Sequence, residues 1–300
     1  MSYPLGRRLG RGLFSEVYEC NGKALKLSVL EDERPPHNAK RELDILRALN
    51  SKHVIQVIES FTRPSRDDPD ETELGFLMPL MNASLESVIA RSRKAAFPTG
   101  WRNALDVEKA IEIARQLACA LDYVHSQGII HRDLKPENVM FDDLNGDGVL
   151  KLIDFGIAWK DNEDEPVDKK ILDVGTGAYR CPEVLFGLSD YDQSYDMWAY
   201  GCVVAKMFTK DGGDLFGDPS GDLALVAEQF RIVGSPTKDQ WPSAAKSSTF
   251  KNMSFESLPG LDLGIVIPRA PEKVVQVVKK CLQFEGSFRL RADQIAEILN

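Results

Sequence analysis

The sequence predicts an α+β fold in which strands come first and helices follow. Residues 4–30 alternate apolar and polar side chains around glycines, which is typical of short strands. Beyond residue 105 the apolar positions recur at the spacing of amphipathic helices. Strands and helices that occupy separate parts of a chain are typical of the α+β class. We therefore expect an antiparallel sheet followed by a mainly helical region.

The first elements are a hairpin and a helix. Asn21 and Gly22 separate two strand-like runs, and this dipeptide favours positive φ at both turn positions. A tight two-stranded hairpin is therefore expected. Over 39–49 the apolar positions recur at helical spacing, so the sequence predicts a helix after the hairpin.

The next elements place a boundary near residue 80. Residues 62–73 are polar, acidic and interrupted by proline, which predicts a loop between two strands. Residues 74–81 then form a short apolar strand that runs into a link. We divide the chain at this link into regions 1–80 and 81–300. In the second region the periodicity predicts helices over 106–126, 193–209, 222–233 and 271–283.

Composition excludes several classes of function. The 300 residues are 43% hydrophobic, which is enough to bury sizeable cores. A net charge of −9 argues against nonspecific binding to nucleic acid or to an anionic membrane. No apolar run approaches the length of a membrane span, and the five scattered cysteines indicate neither a disulfide framework nor a zinc site. We expect a soluble monomer in the cytoplasm, the nucleus or both.

Two runs of sequence carry the chemistry. Residues 131–138 read HRDLKPEN, and a DFG run begins at Asp154. Asp133 could accept a hydroxyl proton while Lys135 neutralises a transferred phosphoryl group. Asn138 and Asp154 could hold Mg²⁺ against phosphate oxygens. This arrangement indicates transfer of a phosphoryl group.

The two runs resemble the catalytic and metal-binding motifs of eukaryotic protein kinases, and further matches extend from Leu9 to Arg291. The resemblance implies a two-lobed protein kinase fold. The N-lobe, 1–80, would bind nucleotide, and the C-lobe, 81–300, would carry the catalytic loop, the activation segment and the substrate site. ATP and Mg²⁺ are the implied cofactors, and a protein is the implied substrate.

The resemblance also implies the residues that bind the nucleotide. Residues 10–17 match a glycine-rich loop, in which Ser15 replaces the third glycine, although an ordinary strand-turn-strand would give a similar pattern. Lys26 would contact the phosphates and pair with Glu42. Met78 would lie behind the adenine, and the carbonyl of Pro79 and the N–H of Met81 would bind it. The full expected set is Leu9, Gly10, Gly12, Ser15, Val17, Ala24, Lys26, Met78, Pro79, Met81, Ser84 and Met140. For Leu9, Val17, Ala24 and Met140, plain core packing is an alternative.

Three further patterns have structural or competing interpretations. Glu183 would pair with Arg289, and Asp196 would anchor the catalytic loop. Residues 143–148 match the first half of a calcium-binding loop, but its twelfth position falls on Asp154 and its flanks predict strands. We favour a polar hairpin turn there.

The chain resembles the cyclin-dependent kinases with specific departures. Residues 36–42, PHNAKRE, are similar to the helix that those kinases present to a cyclin, but Lys40 stands at the position of the isoleucine that faces the cyclin. A cation at the centre of an apolar interface is unfavourable, so we do not expect cyclin binding. Leu13 and Phe14 replace the inhibitory Thr-Tyr pair and cannot be phosphorylated.

The activation segment also differs from that of the cyclin-dependent kinases. Three arginines normally bind its phosphate, and only Arg41 and Arg132 remain, because Trp159 occupies the third position. The phosphate acceptor aligns near Ile171, which has no hydroxyl. Five acids lie upstream of it, and we interpret them as a solvated loop, with a fixed negative charge in place of the phosphate as the alternative. These acids are Asp161, Glu163, Asp164, Glu165 and Asp168.

Together these departures resemble the single-subunit fungal kinases that activate cyclin-dependent kinases by phosphorylating their activation-segment threonine. We expect an ATP-dependent serine/threonine kinase that acts in this way without cyclin or prior phosphorylation. One alternative is a related kinase with a different protein substrate. Another is a pseudokinase that binds partners without catalysis. The second would be expected to lack one of five residues that are all retained here: Lys26, Glu42, Asp133, Asn138 and Asp154.

Overall fold

A five-stranded antiparallel sheet forms the first part of the protein. The computed structural model describes residues 3–98, 100–162 and 164–299. The strands of the sheet are β1 (Arg8–Arg11), β2 (Ser15–Cys20), β3 (Lys23–Val29), β4 (Glu59–Pro64) and β5 (Thr72–Pro79). Their order across the sheet is β1-β2-β3-β5-β4. Asn21 and Gly22 join β2 to β3 with φ of 50° and 74°, so the predicted hairpin is confirmed.

One helix, α1 (Ala39–Ala48), follows the first three strands, as the periodicity predicted. Asn38 caps its first turn, since the side-chain oxygen accepts a hydrogen bond from the backbone N–H of Arg41. Leu43 and Leu46 lie on its buried face together with Glu42. The apolar stripe therefore carries one carboxylate into the interior of the protein.

Helices dominate the rest of the chain. They are α2 (Leu85–Ser92), α3 (Val107–Ser126), α4 (Pro182–Leu185), α5 (Ser194–Phe208), α6 (Asp222–Val233), α7 (Ser248–Asn252), α8 (Leu263–Val266), α9 (Glu272–Cys281) and α10 (Ala292–Leu299). The short strands among them are β6 (Ala83–Ser84), β7 (Lys94–Ala95), β8 (Trp101–Arg102), β9 (Ile129–Ile130), β10 (Val139–Phe141), β11 (Lys151–Leu152) and β12 (Trp159–Lys160). The four helices predicted in this region correspond to α3, α5, α6 and α9, and the α+β prediction is confirmed.

Helix α5 is the centre of the helical part. Its side chains are buried along nearly the whole helix, and α3 and α9 pack against it. A helix that is apolar on all sides is stable only when other elements surround it. Because α5 begins beside the catalytic motif, this packing fixes the position of that motif. In the described part of the chain, no helix has the length and apolar content needed to cross a membrane.

The predicted loop over 62–73 is shorter than expected. β4 continues to Pro64 and β5 begins at Thr72, because Thr62 and Arg63 pair with Leu74 and Glu73 in the antiparallel ladder. The buried carboxylate of Glu73 binds the guanidinium groups of Arg63 at 2.6 Å and Arg66 at 3.1 Å. The ion pairs of Glu73 with Arg63 and Arg66 therefore stabilise the ends of β4 and β5. These strand ends lie in the polar segment that was predicted to be a loop.

Candidate active site

The catalytic motif is a loop between β9 and β10 that is anchored by Asp196. The buried Asp196 carboxylate accepts hydrogen bonds from the backbone N–H groups of His131 at 2.8 Å and Arg132 at 2.9 Å. His125 Nε2 lies 2.8 Å from the same carboxylate. Burial alone would raise the pKa of Asp196, but these hydrogen bonds outweigh it and lower the pKa. The predicted anchoring role of Asp196 is confirmed.

Asp133 is held by three side chains. Its Oδ2 accepts hydrogen bonds from Lys135 Nζ at 2.7 Å and from Asn138 Nδ2 at 3.1 Å. Its Oδ1 accepts one from Thr176 Oγ1 at 2.6 Å, and Lys135 Nζ also lies 3.0 Å from that hydroxyl. The carboxylate is therefore oriented as a general base would be. Sequence reasoning did not assign this contact to Thr176, because nothing local to the motif indicates that residue 176 returns to it.

Lys26 lies between two carboxylates. Its Nζ is 2.7 Å from both oxygens of Glu42 and 2.9 Å from Oδ1 of Asp154. Lys26 and Glu42 are only 7% and 2% exposed. Burial alone would lower the pKa of Lys26, but the two carboxylates outweigh it, so the pKa is raised and the ammonium stays charged. In turn, the Lys26 ammonium holds the pKa of Asp154 well below its usual range.

Asp154 and Asn138 have oxygens available for a divalent cation. The Asp154 side chain is 42% exposed, and Lys26 contacts only its Oδ1. Asn138 donates its amide N–H to the carbonyl of Asp133 at 2.8 Å, which leaves its amide oxygen for another partner. Two oxygen ligands beside a phosphate site suit a cation such as Mg²⁺, which completes its shell with phosphate oxygens and water. Asp154 has φ of 63°, a backbone conformation that is rare outside glycine.

A cavity of about 760 Å³ opens in front of these groups. Of the residues predicted for the site, it is lined by Gly12, Ser15, Lys26, Glu42, Asp133, Lys135 and Asp154. The glycine-rich loop that covers it is closed by a hydrogen bond of 2.8 Å from the N–H of Gly12 to the carbonyl of Ser15. A Cβ at Gly10 would meet no atom within 4 Å, so this position faces open space. The cavity therefore joins the predicted phosphate, metal and base positions.

The residues predicted to surround the adenine lie outside the lining of this cavity. Strand pairing brings Ala24 opposite Met78 and Val17 opposite Lys26. On the helical side, Met140 pairs with Ser84 in the ladder between β10 and β6. The remaining wall residue, Leu9, is exposed, and Gly10 lies beside it in β1. The adenine-pocket roles of these residues stay predictions.

The link after β5 leaves the backbone N–H of Met81 available as a hydrogen-bond donor. Pro79 is the last residue of β5 and lies opposite Lys23. Within the described residues, no backbone carbonyl accepts a hydrogen bond from the N–H of Met81. This is the group predicted to bind adenine, and its availability fits a base. Ser84, predicted to lie near the ribose, caps α2, because its Oγ accepts a hydrogen bond from the N–H of Ser87 at 3.2 Å.

Comparison with known proteins settles the family. A family model described as a protein kinase domain matches residues 3–298. The chain belongs to the protein kinase family. It is 28% identical to the serine/threonine-protein kinase csk1 of Schizosaccharomyces pombe, over 93% of this chain and 88% of that relative. It is also 28% identical to the serine/threonine-protein kinase CAK1 of Saccharomyces cerevisiae, over 95% of this chain and 86% of that relative. The chain is 27% identical to cyclin-dependent kinase D-1 of Arabidopsis thaliana, over 95% of this chain and 67% of that relative.

The protein is therefore a serine/threonine protein kinase of the cyclin-dependent-kinase-like type, and the family uses ATP and a divalent metal. Two structural features predicted from the sequence, one ion pair and one turn, are present. Arg289 Nη2 contacts the Glu183 carboxylate at 2.8 Å, and both side chains are buried. Residues 143–148 form a turn between β10 and β11 in which Asp143 accepts the N–H of Asn145 at 2.7 Å. Within the described residues, no cluster of three or more His, Cys, Asp or Glu could hold a metal ion.

The activation segment of this kinase contains a buried carboxylate. Glu165 is 2% exposed, and both of its oxygens contact the guanidinium of Arg132, with Oε2 3.2 Å from Nη2. Arg41 Nη1 lies 3.7 Å from the same Oε2. The backbone N–H of Ile171, the residue aligned with the usual phosphate acceptor, donates to Oε1 at 2.9 Å. One carboxylate therefore contacts both of the remaining phosphate-binding arginines.

The solvated-loop interpretation is wrong for Glu165. Arg132 is fully buried, and a buried guanidinium needs a negative charge beside it. Glu165 supplies that charge and is therefore buried as well. Asp161, Asp164 and Asp168 are exposed, as that interpretation expects, and Glu163 lies outside the described residues.

Trp159, which replaces the third arginine, holds the backbone of Glu165. Its Nε1–H donates to the carbonyl of Glu165 at 2.8 Å, while the side-chain oxygen of Asn162 accepts the N–H of Glu165 at 3.0 Å. Lys170 Nζ lies 4.5 Å from the centre of the Trp159 ring, within the range of a cation–π interaction. Trp159 thus helps to fix the backbone of the residue whose carboxylate contacts Arg132 and Arg41.

Proposed function

We propose that this kinase phosphorylates the activation-segment threonine of a cyclin-dependent kinase, and that it does so without a cyclin and without being phosphorylated itself. The single observation that carries the proposal is the contact of Glu165 with Arg132 and Arg41. We also propose Mg²⁺ as the metal, a monomer as the active form, and the cytoplasm or the nucleus as its location.

The side chains at the site support phosphoryl transfer to a hydroxyl. Asp133 is oriented to accept the proton of an incoming threonine, and the Lys135 ammonium lies beside it to stabilise negative charge. Bound ATP with its metal would supply the phosphoryl group and neutralise its charge. Asn138 and Asp154 would hold that metal, while Lys26, fixed by Glu42, would hold the phosphates. A pseudokinase would be expected to lack at least one of five residues that are all present here: Lys26, Glu42, Asp133, Asn138 and Asp154.

Glu165 supports independence from phosphorylation. Two arginines that would otherwise bind a phosphate already contact a carboxylate that is part of the chain. Between Gly156 and Arg180 the sequence contains only two hydroxyl residues, Thr176 and Tyr179. The Thr176 hydroxyl binds Asp133, and the Tyr179 hydroxyl donates to Asp214. Neither hydroxyl lies where an activating phosphate would meet the arginines.

The outer face of α1 supports independence from cyclin. Lys40, Asp44 and Arg47 are exposed along this helix. Charged residues are depleted from the centres of protein interfaces because their desolvation is costly. A helix that presents charges of both signs to solvent is therefore a poor match for the apolar surface implied by the resemblance to cyclin-dependent kinases.

The substrate class is supported by the same combination of departures. Loss of the cyclin contact, the inhibitory pair and the acceptor threonine resembles the single-subunit fungal kinases that activate cyclin-dependent kinases. Two of the similar relatives, csk1 and CAK1, are fungal serine/threonine-protein kinases that match over most of their length. The second candidate is a related kinase with another protein substrate.

The test uses protein made in bacteria, treated with phosphatase, and shown by intact mass to be unphosphorylated. It is incubated with Mg²⁺, ATP and a catalytically inactive, monomeric cyclin-dependent kinase. We expect phosphate on the activation-segment threonine and none on the matched Thr→Ala substrate. Activity that requires an added cyclin or an upstream kinase would contradict autonomy. Turnover on a generic basic protein without phosphorylation of the cyclin-dependent kinase would instead favour the second candidate.

A further inference from the structure

The tip of the glycine-rich loop, residues 10–17, contacts a histidine that comes from outside the sheet. The rings of Phe14 and His37 meet edge to face, with their centroids 4.9 Å apart and their planes 63° apart. Both side chains are partly buried and line the catalytic cavity. Leu13, the other large apolar residue at the tip, is 83% exposed. Phe14 is therefore the large side chain through which the tip packs against another part of the protein.

His37 lies in a segment, residues 33–38, that is held in place by hydrogen bonds. The N–H of His37 donates to the carbonyl of Arg34 at 2.9 Å and closes a turn. The Glu33 carboxylate accepts the N–H of Ala39, the first residue of α1, at 2.8 Å. Asn38 caps the same helix. The imidazole is therefore presented from a fixed turn in front of α1.

The 33–38 segment is also tied to the DFG run and to the activation segment. The N–H of Asn38 donates at 3.1 Å to the carbonyl of Gly156, two residues after the predicted metal ligand Asp154. The Arg41 guanidinium donates to the carbonyl of Pro36 and lies beside the carboxylate of the activation segment described above. His37 is therefore held in a defined position relative to the metal site.

The glycine-rich loop depends on such a contact because it lies at an exposed edge. β1 is the edge strand of the sheet and is exposed along its whole length. The hydrogen bond from Gly12 to Ser15 closes the loop on itself but does not attach it to another element. Segments with few buried contacts open at a low cost in free energy. One aromatic contact can therefore decide how much of the time the loop covers the cavity.

We propose that His37 is a positioning residue for phosphoryl transfer. By packing against Phe14 it holds the glycine-rich loop closed over the cavity, so that backbone N–H groups of the loop bind the phosphates of ATP. The proposal rests on the use of ATP by the protein kinase family and not on which protein is the substrate. Its failure would therefore leave the proposed function untouched, and the reverse also holds.

Nucleotide binding tests the proposal without a protein substrate. Competition against a fluorescent nucleotide gives the dissociation constants of a non-hydrolysable ATP analogue and of adenosine, which has no phosphates. His37→Ala should weaken binding of the analogue by about two- to tenfold, the range expected for one aromatic contact, and should leave adenosine binding unchanged. His37→Phe keeps a ring beside Phe14 and should restore the affinity for the analogue.

A double-mutant cycle tests whether His37 acts through Phe14. Phe14→Ala should weaken binding of the ATP analogue at least as much as His37→Ala does, and the double variant should bind no more weakly than Phe14→Ala alone. Tyr3→Ala is the matched control, because it removes one ring from another aromatic pair of the sheet, in which Tyr3 stacks on Phe61 with centroids 4.1 Å apart. This variant should leave the ratio of the two dissociation constants at its wild-type value.

Steady-state kinetics separates positioning from a loss of folded protein. His37→Ala should raise the KM for ATP by a factor similar to the weakening of analogue binding. A variant that only lost folded enzyme would instead show a lower kcat at an unchanged KM. Thermal unfolding of each variant measures the stability that the substitution removes.

Four results would overturn the proposal. The first is an unchanged affinity of His37→Ala for the ATP analogue. The second is equal weakening of the analogue and of adenosine, which would mean that the whole pocket is perturbed. The third is additive weakening in the double variant, which would mean that His37 acts apart from Phe14. The fourth is a failure of His37→Phe to restore affinity, which would assign the effect to the polar atoms of the imidazole.

Discussion

Glu165 lies end-on against Arg132, so that a carboxylate of the activation segment and a guanidinium of the catalytic loop form a buried ion pair. Replacing Glu165 by Gln keeps the shape of the side chain but removes its charge, which leaves Arg132 and Arg41 without the counter-ion. We expect turnover to fall roughly 10- to 100-fold, because removal of one partner of a buried pair costs several kcal/mol and favours disorder of the segment.

Asp168→Asn is the matched control for this prediction. It removes one negative charge from the same segment at an exposed position, and we expect wild-type turnover. Steady-state kinetics on one protein substrate checks both variants. Equal activity of Glu165→Gln and the wild type would show that the carboxylate does not take the place of a phosphate.

Asp154→Asn should separate catalysis from nucleotide binding. The amide is a poorer metal ligand and no longer neutralises Lys26, whose Nζ lies 2.9 Å from Oδ1. We expect loss of phosphoryl transfer, with a smaller loss of affinity for ATP because the substitution leaves the predicted apolar walls and the predicted Met81 contact untouched. Calorimetric titration with ATP, beside a turnover assay at saturating Mg²⁺, distinguishes the two effects. Retention of wild-type turnover would remove Asp154 from the metal site.

His53 should make stability depend on pH near neutrality. Burial lowers the pKa of His53, and its Nδ1 lies 3.1 Å from the carbonyl of Leu150. The unfolded chain therefore binds a proton near pH 6.5 that the folded chain does not yet bind, so the free energy of unfolding falls as the pH drops below about 6.5 and levels off below the folded pKa. His37, whose pKa is also lowered by burial, adds to the slope.

The variant His53→Gln retains an N–H donor for the Leu150 carbonyl but does not titrate. Urea unfolding between roughly pH 5 and 7 should show a shallower slope than in the wild type, although not a flat one because His37 remains. A slope identical to that of the wild type would mean that His53 titrates alike in the folded and unfolded chains.

Glu183→Ala should be strongly destabilising. Its carboxylate is the buried partner of Arg289, and the variant would leave that guanidinium uncompensated in the interior. A loss of about 3 to 5 kcal/mol in the free energy of unfolding is expected. The exposed pair of Arg291 and Asp293 is the control, since Asp293→Ala should cost less than about 1 kcal/mol. Denaturant unfolding measures both, and similar losses would contradict the role of burial.

Sequence reasoning placed the catalytic site and the main helices because their signals are local. The catalytic motif occupies one stretch of chain, and the periodicity of α3 or α6 lies within each helix. Burial of Glu165 is different, since it depends on Arg41 and Arg132, which come from separate elements. Nothing in the sequence distinguishes Glu165 from the acids beside it. The hairpin of β7 and β8 was also missed, because two-residue strands have no measurable periodicity.

A side-chain carboxylate differs from a phosphate in one respect that matters for the life of the enzyme. It is present when the chain leaves the ribosome, and no phosphatase can remove it. A kinase ordered by Glu165 would have no lag after synthesis and no reversible resting form at this position. The cell would then adjust its output through synthesis, degradation and access to substrate.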